Sequence, residues 1–437
     1  MGIFDLALKI KGFPLNRAEL ELQSMYNMDL DSFRNNQLQK RDACYNYHRS
    51  NNSHYNAFCS NKEFLSWDEI PILTKESIQK PLHERLSNGY TSKNTYLSNT
   101  SGSSGEPFHF AKDKFCHAMT WAIIKNRFAR HGLDFNHSLQ ARFYGIPLDS
   151  KMKYWAELLK DYLCRRKRFP IFDLSDSVLE KYLNEFRSRE FNYLNGYTNA
   201  LVLFADFLIR KEIVLKTICP SLQKCVTTSE ILDPLDRRKI EKSFGVPVVN
   251  EYGASELDLI AFEDEDYDWI LNEESLYIEI LDENGKALPD GEEGRIVVTS
   301  LYNKAMPFIR YDVGDIGIIS KKRKGHYRVL EKLIGRTNDT AILPSGKTVH
   351  GLTFYYVSKS MLEESGLIKE FIIKQVAPDH FHFEYVSFKD LNNSDIEGIR
   401  QLMDIYLEKN LKTTFERKIE LKRTRAGKLK HFSVVYT

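Results

Sequence analysis

The chain has 437 residues, enough for two or three domains with a sizeable buried core. Its 62 Lys and Arg stand against 60 Asp and Glu, and a formal net charge of +2 gives no electrostatic footprint for nucleic acid. Hydrophobic residues at 42% and aromatics at 12% exclude an intrinsically disordered chain.

The N-terminal MGIFDLALKIKGF has Gly2 but carries Leu6 where a myristoylation signal needs Ser or Thr, and it lacks a cleavage site. It reads as an amphipathic helix packed against the protein. Residues 35 to 56, rich in Asn, Tyr and His, read as a mobile connection between helices. The six cysteines, at 44, 59, 116, 164, 219 and 225, form no CxxC pair. That spacing argues against a zinc site or disulfide framework and fits a reducing, cytoplasmic setting.

The first motif is TSGSSGEPF, residues 100–108, which follows the strand-like NTYLSN. Gly102 and Gly105 let the backbone approach an anion, and Thr100, Ser101, Ser103 and Ser104 can donate to phosphate oxygens. The same composition suits a solvated surface loop, and no Gly-Lys-Ser/Thr follows to make a Walker loop. Downstream, SDSVLEKYLNEFRSR (175–189) and DPLDRRKIEKSFG (233–245) begin with capping residues and space their apolar positions helically. The apolar run at 200–209 is broken by Asp206 and far shorter than the ~20 residues of a membrane span. KCVTTSE and VPVVNEYG read as strands between helices, which makes an α/β core with ligand loops at the strand ends.

In VVNEYGASELDLIAFE (248–263) a strand ends in a Tyr-Gly-Ala-Ser-Glu turn. Tyr252 can stack on a base there and Glu256 can hold Mg²⁺ through oxygen, although an ordinary glycine turn with a solvated glutamate fits the same letters. After about residue 270, LYIEILDENGKALPDGEEGRIVVTSL and IGIISKKRKGHYRVL alternate apolar and polar residues around turns, as antiparallel strands do. PFIRYDVGDIG (307–317) sets Asp312 and Asp315 beside Gly314, where a carboxylate either reads vicinal hydroxyls or merely makes a turn. From Gly335 onward a compact tail follows. It carries Arg336 at its start, a strand pair in EFIIKQVAPDHFHFEYV, a helix with a Ser394/Glu397 capping-box pattern, and Lys428 in TRAGKLKHF. Ile396, Ile399, Met403 and Tyr406 fall on one face of that helix.

Taken in order and spacing, TSGSSGEP, YGASE, PDGEEGRIVVTSL, RYDVGD, GRTND and TRAGK resemble the motif series of the adenylate-forming superfamily of acyl-CoA synthetases and adenylation domains. WDEIPILTKESIQ (67–79), NGYTNALVLFADFL (195–208), TTSEILDPLDRRKIEKSFGVPVVNEYG and WILNEESLYIEI point to its phenylacetate-CoA ligase and CapK (capsular polysaccharide biosynthesis) branch. The resemblance covers nearly the whole chain. It implies a large α/β N-terminal domain of mixed sheets with a β-barrel-like subdomain, residues 1–334, and a small mobile α+β lid, residues 335–437.

It also implies a reaction and its residues. A carboxylic acid is adenylated by ATP with Mg²⁺, and the acyl group then passes to coenzyme A or another acceptor, in a setting of surface-polysaccharide biosynthesis. Thr100, Ser101, Gly102, Ser103, Ser104 and Gly105 grip the β and γ phosphates. Ser229, Glu230, Tyr252, Gly253 and Ser255 line the nucleotide, Tyr252 lying against adenine. Glu256 carries Mg²⁺, Asp315 binds the ribose, Arg336 contacts ribose or phosphate, Tyr197 faces the acid, and Lys428 bridges the attacking carboxylate and the α-phosphate. Glu106 departs from the family, standing where many members have lysine. Two other outcomes stay open: a nucleotidyl transfer that leaves AMP on an acceptor hydroxyl, and a non-catalytic nucleotide-binding relative. A homodimer is left open as well.

Overall fold

In the run Tyr193–Tyr197 every residue is buried, as a strand covered on both faces requires. The computed structural model describes the chain except residues 1, 101–107, 146–150, 172, 337–339, 351–367, 388, 423–431 and 437. A hairpin comes first, β1 (Tyr96–Asn99) against β2 (His109–Lys112). Then follow β3 (Gln140–Phe143), β4 (Arg166–Phe169), β5 (Tyr193–Tyr197), β6 (Lys224–Thr228) and β7 (Val248–Ala254), all parallel, in the spatial order β4-β3-β5-β6-β7.

The chain turns back in β8 (Asp258–Glu263) and continues through β9 (Trp269–Leu271), β10 (Leu276–Leu281), β11 (Glu293–Ser300), β12 (Tyr311–Lys324) and β13 (Tyr327–Arg336). These pair antiparallel in the order β7-β8-β9-β13-β12-β11-β10, which extends the parallel set into one mixed sheet of 11 strands. The α/β class expected from the sequence is the one observed.

Successive residues of the central strands point to opposite faces. Leu194, Cys225 and Val248 join Phe204, Ile240 and Phe244 of the helices Thr198–Arg210 and Pro234–Phe244. Tyr193, Val226 and Val249 join Ala118, Ala122 and Phe128 of the helix Lys114–Arg130 on the other side. Helix, sheet and helix thus make three layers. The helix Pro234–Phe244 shows why its sequence stops and starts where it does. Asp233 accepts from the Leu235 and Asp236 amides, proline takes the first turn, and Gly245 ends the helix at φ 72°.

Residues 35 to 56 are not a mobile connection. They lie in the helices Leu30–Asn51 and Ser53–Phe58. Polar composition misleads there because three of the polar side chains are buried on fixed partners: Gln37 donates to the Glu273 and Leu276 carbonyls, His48 Nε2 to Asn303, and Asn52 to Arg85. At the N-terminus the helix Ile3–Ile10 buries Phe4 and Leu8 and leaves Ile3, Leu6 and Ile10 exposed. Among the described residues no helix is long and apolar enough to cross a membrane.

Beyond residue 340 the short pair β14 (Thr340–Ile342) and β15 (Thr348–His350) precedes a four-stranded sheet. Its strands are β16 (Ile368–Ala377), β17 (His380–Ser387), β18 (Lys412–Arg417) and β19 (Phe432–Val434), in the order β18-β17-β16-β19. The helix Asn393–Tyr406 lays Ile399 and Met403 into a core whose buried members all come from this tail. Its capping box is Asn392 with Asp395, two residues before the Ser394/Glu397 pair the sequence pointed to. Both pairs have the required spacing, and Leu391, packed against the core just ahead, fixes the earlier entry.

Candidate active site

The turn after β7 is tight because the Leu257 amide donates to the Ala254 carbonyl at 3.0 Å. Gly253 has to be glycine: a Cβ there would stand 2.2 Å from the Asp258 carbonyl oxygen. The turn buries Glu256 and leaves Ser255 exposed. Two hydrogen bonds then tie it to β12. The Tyr252 hydroxyl donates to Asp315 Oδ2 at 2.7 Å, and the Tyr311 hydroxyl donates to Glu256 Oε1 at 2.7 Å. The Tyr252 ring stacks on Trp269, centroids 6.1 Å apart at 21°. An aromatic ring and two carboxylates are therefore held together at the C-terminal end of a central strand, the usual place for a ligand in such a sheet.

Asp312 and Asp315 part company in the structure. Asp312 accepts from Arg295 at 3.0 Å and from the Gly314 amide at 2.8 Å, so it fixes the bend and does not face a ligand. Gly314 sits at φ 78°, where a side chain is strained. Between them and the rest of the chain stands Arg310, buried to 1% exposure, whose guanidinium donates to the carbonyls of Asp68, Ile70 and Gly285 at 2.7–2.8 Å. The Leu73 amide donates to the Arg310 carbonyl and the Asp312 amide to the Leu73 carbonyl. WDEIPIL thus serves as a brace that fixes RYD from behind.

The β12–β13 register sets Arg336 opposite Asp315. Thr100 closes the base of the first motif: its amide donates to the Phe108 carbonyl at 2.9 Å, and its hydroxyl accepts from the Phe108 amide at 3.1 Å, leaving its own proton to donate. Phe108 packs edge-on to Phe308, and Phe308 edge-on to Tyr311. This aromatic chain links the base of the loop to the residue that holds Glu256. Ser101, Gly102, Ser103, Ser104, Gly105 and Glu106 lie outside the described residues, as does Lys428.

Tyr197, at the end of β5, lies ring to ring with Tyr144, centroids 4.7 Å apart, and burial pushes its hydroxyl up to about 12. Ser229, one residue beyond β6, is exposed and holds φ 68°, the kind of strained backbone that clusters at functional sites. Glu230 supports the fold, since its carboxylate accepts from the Asn199 amide at 2.9 Å, at the start of the helix Thr198–Arg210.

Sequence reasoning missed four residues here. Tyr311, inside the quoted RYDVGD, orients Glu256. Glu251 precedes Tyr252 and points to the opposite face, where the Thr228 hydroxyl donates to it at 3.1 Å and burial raises its pKa. Arg142 lies in β3 and Tyr144 just past its end, the guanidinium 4.0 Å from the ring centroid. Period-two alternation in NEYG was a signal for Glu251; nothing in the sequence marked Arg142.

No protein-family model matches the chain. Protein CapK of Staphylococcus aureus is 21% identical over 318 residues, 69% of this chain and 68% of CapK. Phenylacetate-coenzyme A ligase of Pseudomonas putida is 33% identical over 115 residues, 24% of this chain and 26% of the ligase, so the match spans about a quarter of that relative. Among solved structures, 2-hydroxyisobutyryl-CoA ligase in the postadenylation state, in complex with R3-HIB-AMP, superposes with a TM-score of 0.71 at 16% identity, covering 94% of this chain and 90% of that one. At such identity the superposition speaks for the fold.

Proposed function

We propose that this chain, a member of the adenylate-forming superfamily on its phenylacetate-CoA ligase and CapK branch, joins a carboxylic acid to AMP and then passes the acyl group to the thiol of coenzyme A. In the first step a carboxylate oxygen attacks the α-phosphorus of ATP, the bond to the bridging oxygen breaks, and pyrophosphate leaves. In the second the thiol sulfur attacks the acyl carbon, AMP departs with its oxygen, and the thiol proton is released. Such transfers depend on positioning and charge neutralisation more than on covalent help from the protein.

The observation that carries the reading is the pairing of Tyr252 with Asp315 and of Tyr311 with Glu256 at one strand end. Tyr252 offers an aromatic surface and Asp315 a fixed carboxylate for vicinal hydroxyls, the two needs of a nucleoside. Arg336, opposite Asp315 in the backbone register, is the basic residue assigned to ribose or phosphate in this reading. Glu256 offers Mg²⁺ a buried, oriented carboxylate oxygen, the hard ligand that ion takes, and the ion when bound neutralises phosphate charge. The loop 100–105 holds the phosphates, Ser229, Gly253 and Ser255 flank the nucleotide, and Lys428, carried by the tail from residue 335, stabilises charge as the acyl–phosphate bond forms. The setting is the modification of a surface polysaccharide in the cytoplasm, a reading supported by the CapK likeness and by six cysteines that form no disulfide.

Acid-dependent exchange of pyrophosphate into ATP tests the first step, with hydroxylamine as the trap. A hydroxamate is the expected product, and a stable AMP conjugate would replace acyl transfer with nucleotidyl transfer. Lys428→Ala should slow exchange by roughly two to three powers of ten. Exchange at the parent rate in that variant would remove Lys428 from the mechanism, and no exchange with any acid would end the reading.

A further inference from the structure

Three arginines meet on the face of the sheet that carries Glu251. Arg166 and Arg168 lie on β4, and Arg142 stands beside Arg168 in the β3–β4 register. Asp161 binds both Arg166 and Arg168, the latter at 2.8 Å, and Glu157 takes a second hold on Arg168 at 2.7 Å. Both acids come from the helix Lys151–Leu163. Arg142 is left over. Among the described residues no carboxylate or carbonyl pairs with its guanidinium; its Nε is buried with no hydrogen-bond partner, and only the Tyr144 ring lies against it. Burial pulls its pKa down, and Arg166 and Arg168 add to that against the opposing pull of Tyr144 and Asp161.

Its depth is informative. Arg142 pairs with Asn195 on β5, while Tyr197, Thr228 and Glu251 form the next row toward the strand ends, two residues on. Two residues of strand are about 7 Å. β3 also lies three strands from β7, about 14 Å across the sheet, so a ligand whose reacting carboxylate lies at the end of β7 meets Arg142 with its far end only by running across β6 and β5 on the Glu251 face. Tyr144 and Tyr197 lie ring to ring one row nearer the strand ends than Arg142.

We propose that the acid adenylated by this chain carries a second carboxylate, and that Arg142 receives it. This rests on the adenylation reading above and adds the substrate class to it. The guanidinium offers a fork of N–H donors to a planar anion, and Tyr144 holds that fork in place. An acid with an unsubstituted alkyl or aryl end would leave the buried Nε of Arg142 without a partner, and the site discriminates against it for that reason.

The test is pyrophosphate exchange with straight-chain dicarboxylates of graded length, each against the monoacid of the same length. The parent enzyme should favour the dicarboxylate by about thirtyfold or more in kcat/KM. Arg142→Met should lower that ratio by a similar factor, mainly through KM for the acid, with KM for ATP unchanged as the sign of an intact fold; Arg142→Lys should restore part of it. Exchange that favours monoacids, or a ratio that Arg142→Met leaves unchanged, would overturn this inference and leave adenylation standing. No exchange with any acid would overturn both.

Discussion

The Tyr252 hydroxyl donates to Asp315 at 2.7 Å across 63 residues of sequence, joining the turn after β7 to β12. The bond aims the carboxylate while the ring keeps its stack on Trp269. Tyr252→Phe deletes the bond and spares the stack. A hydrogen bond to a charged acceptor contributes about 1.5–3 kcal/mol, so the variant should bind ATP roughly tenfold or more weakly. Calorimetric titration with ATP reads this directly, and an unchanged Kd would detach Asp315 from nucleotide binding.

Glu256 and Tyr311 form the companion pair, and the two variants separate charge from orientation. Glu256→Gln keeps the shape and removes the negative charge, so exchange should fall by roughly a hundredfold or more. Tyr311→Phe keeps the charge and frees the carboxylate to turn. Partners of that kind commonly change metal affinity by about 10- to 100-fold, so the Mg²⁺ concentration giving half-maximal rate should rise by about tenfold while the rate at saturating Mg²⁺ stays near that of the parent. If Tyr311→Phe lowers the saturated rate and leaves the Mg²⁺ requirement alone, the pair orients the turn and not an ion.

How much of this was legible depended on whether a residue's neighbours are local. The strand ending at Ala254, the turn held by Gly253 and the helix capped by Asp233 are short-range arrangements, and VPVVNEYGASE and DPLDRRKIEKSFG spell them out. The helix Leu30–Asn51 was illegible because Gln37 and His48 spend their polarity on carbonyls more than 200 residues away. Nothing in RYDVGD itself prefers Asp315 over Asp312. Only the fold brings Arg295 to one and Tyr252 to the other. Arg142 is the extreme case, since what marks it is an Nε with no partner among the described residues, and a missing partner has no letter.

His48 shows what that buried polar network costs in acid. It is fully buried, its Nε2–H donates to the Asn303 carbonyl at 2.7 Å, and its Nδ1 accepts from the Ser87 hydroxyl at 3.1 Å, an arrangement that requires the neutral ring. Burial pushes its pKa down to about 4 from the ordinary 6.5. The folded value is the depressed one, so in that interval the unfolded chain binds more protons. The contribution of the neutral ring is complete above about pH 6.5 and is lost as pH falls toward about 4, some 3 kcal/mol in all. His48→Gln keeps a donor and an acceptor and cannot titrate there. In urea unfolding between about pH 7.5 and about pH 5 the parent should therefore lose about 2 kcal/mol more than the variant. His117, also pushed down to about 4, acts equally in both chains and cancels in the comparison. Parallel losses in the two proteins would clear His48 of the acid sensitivity.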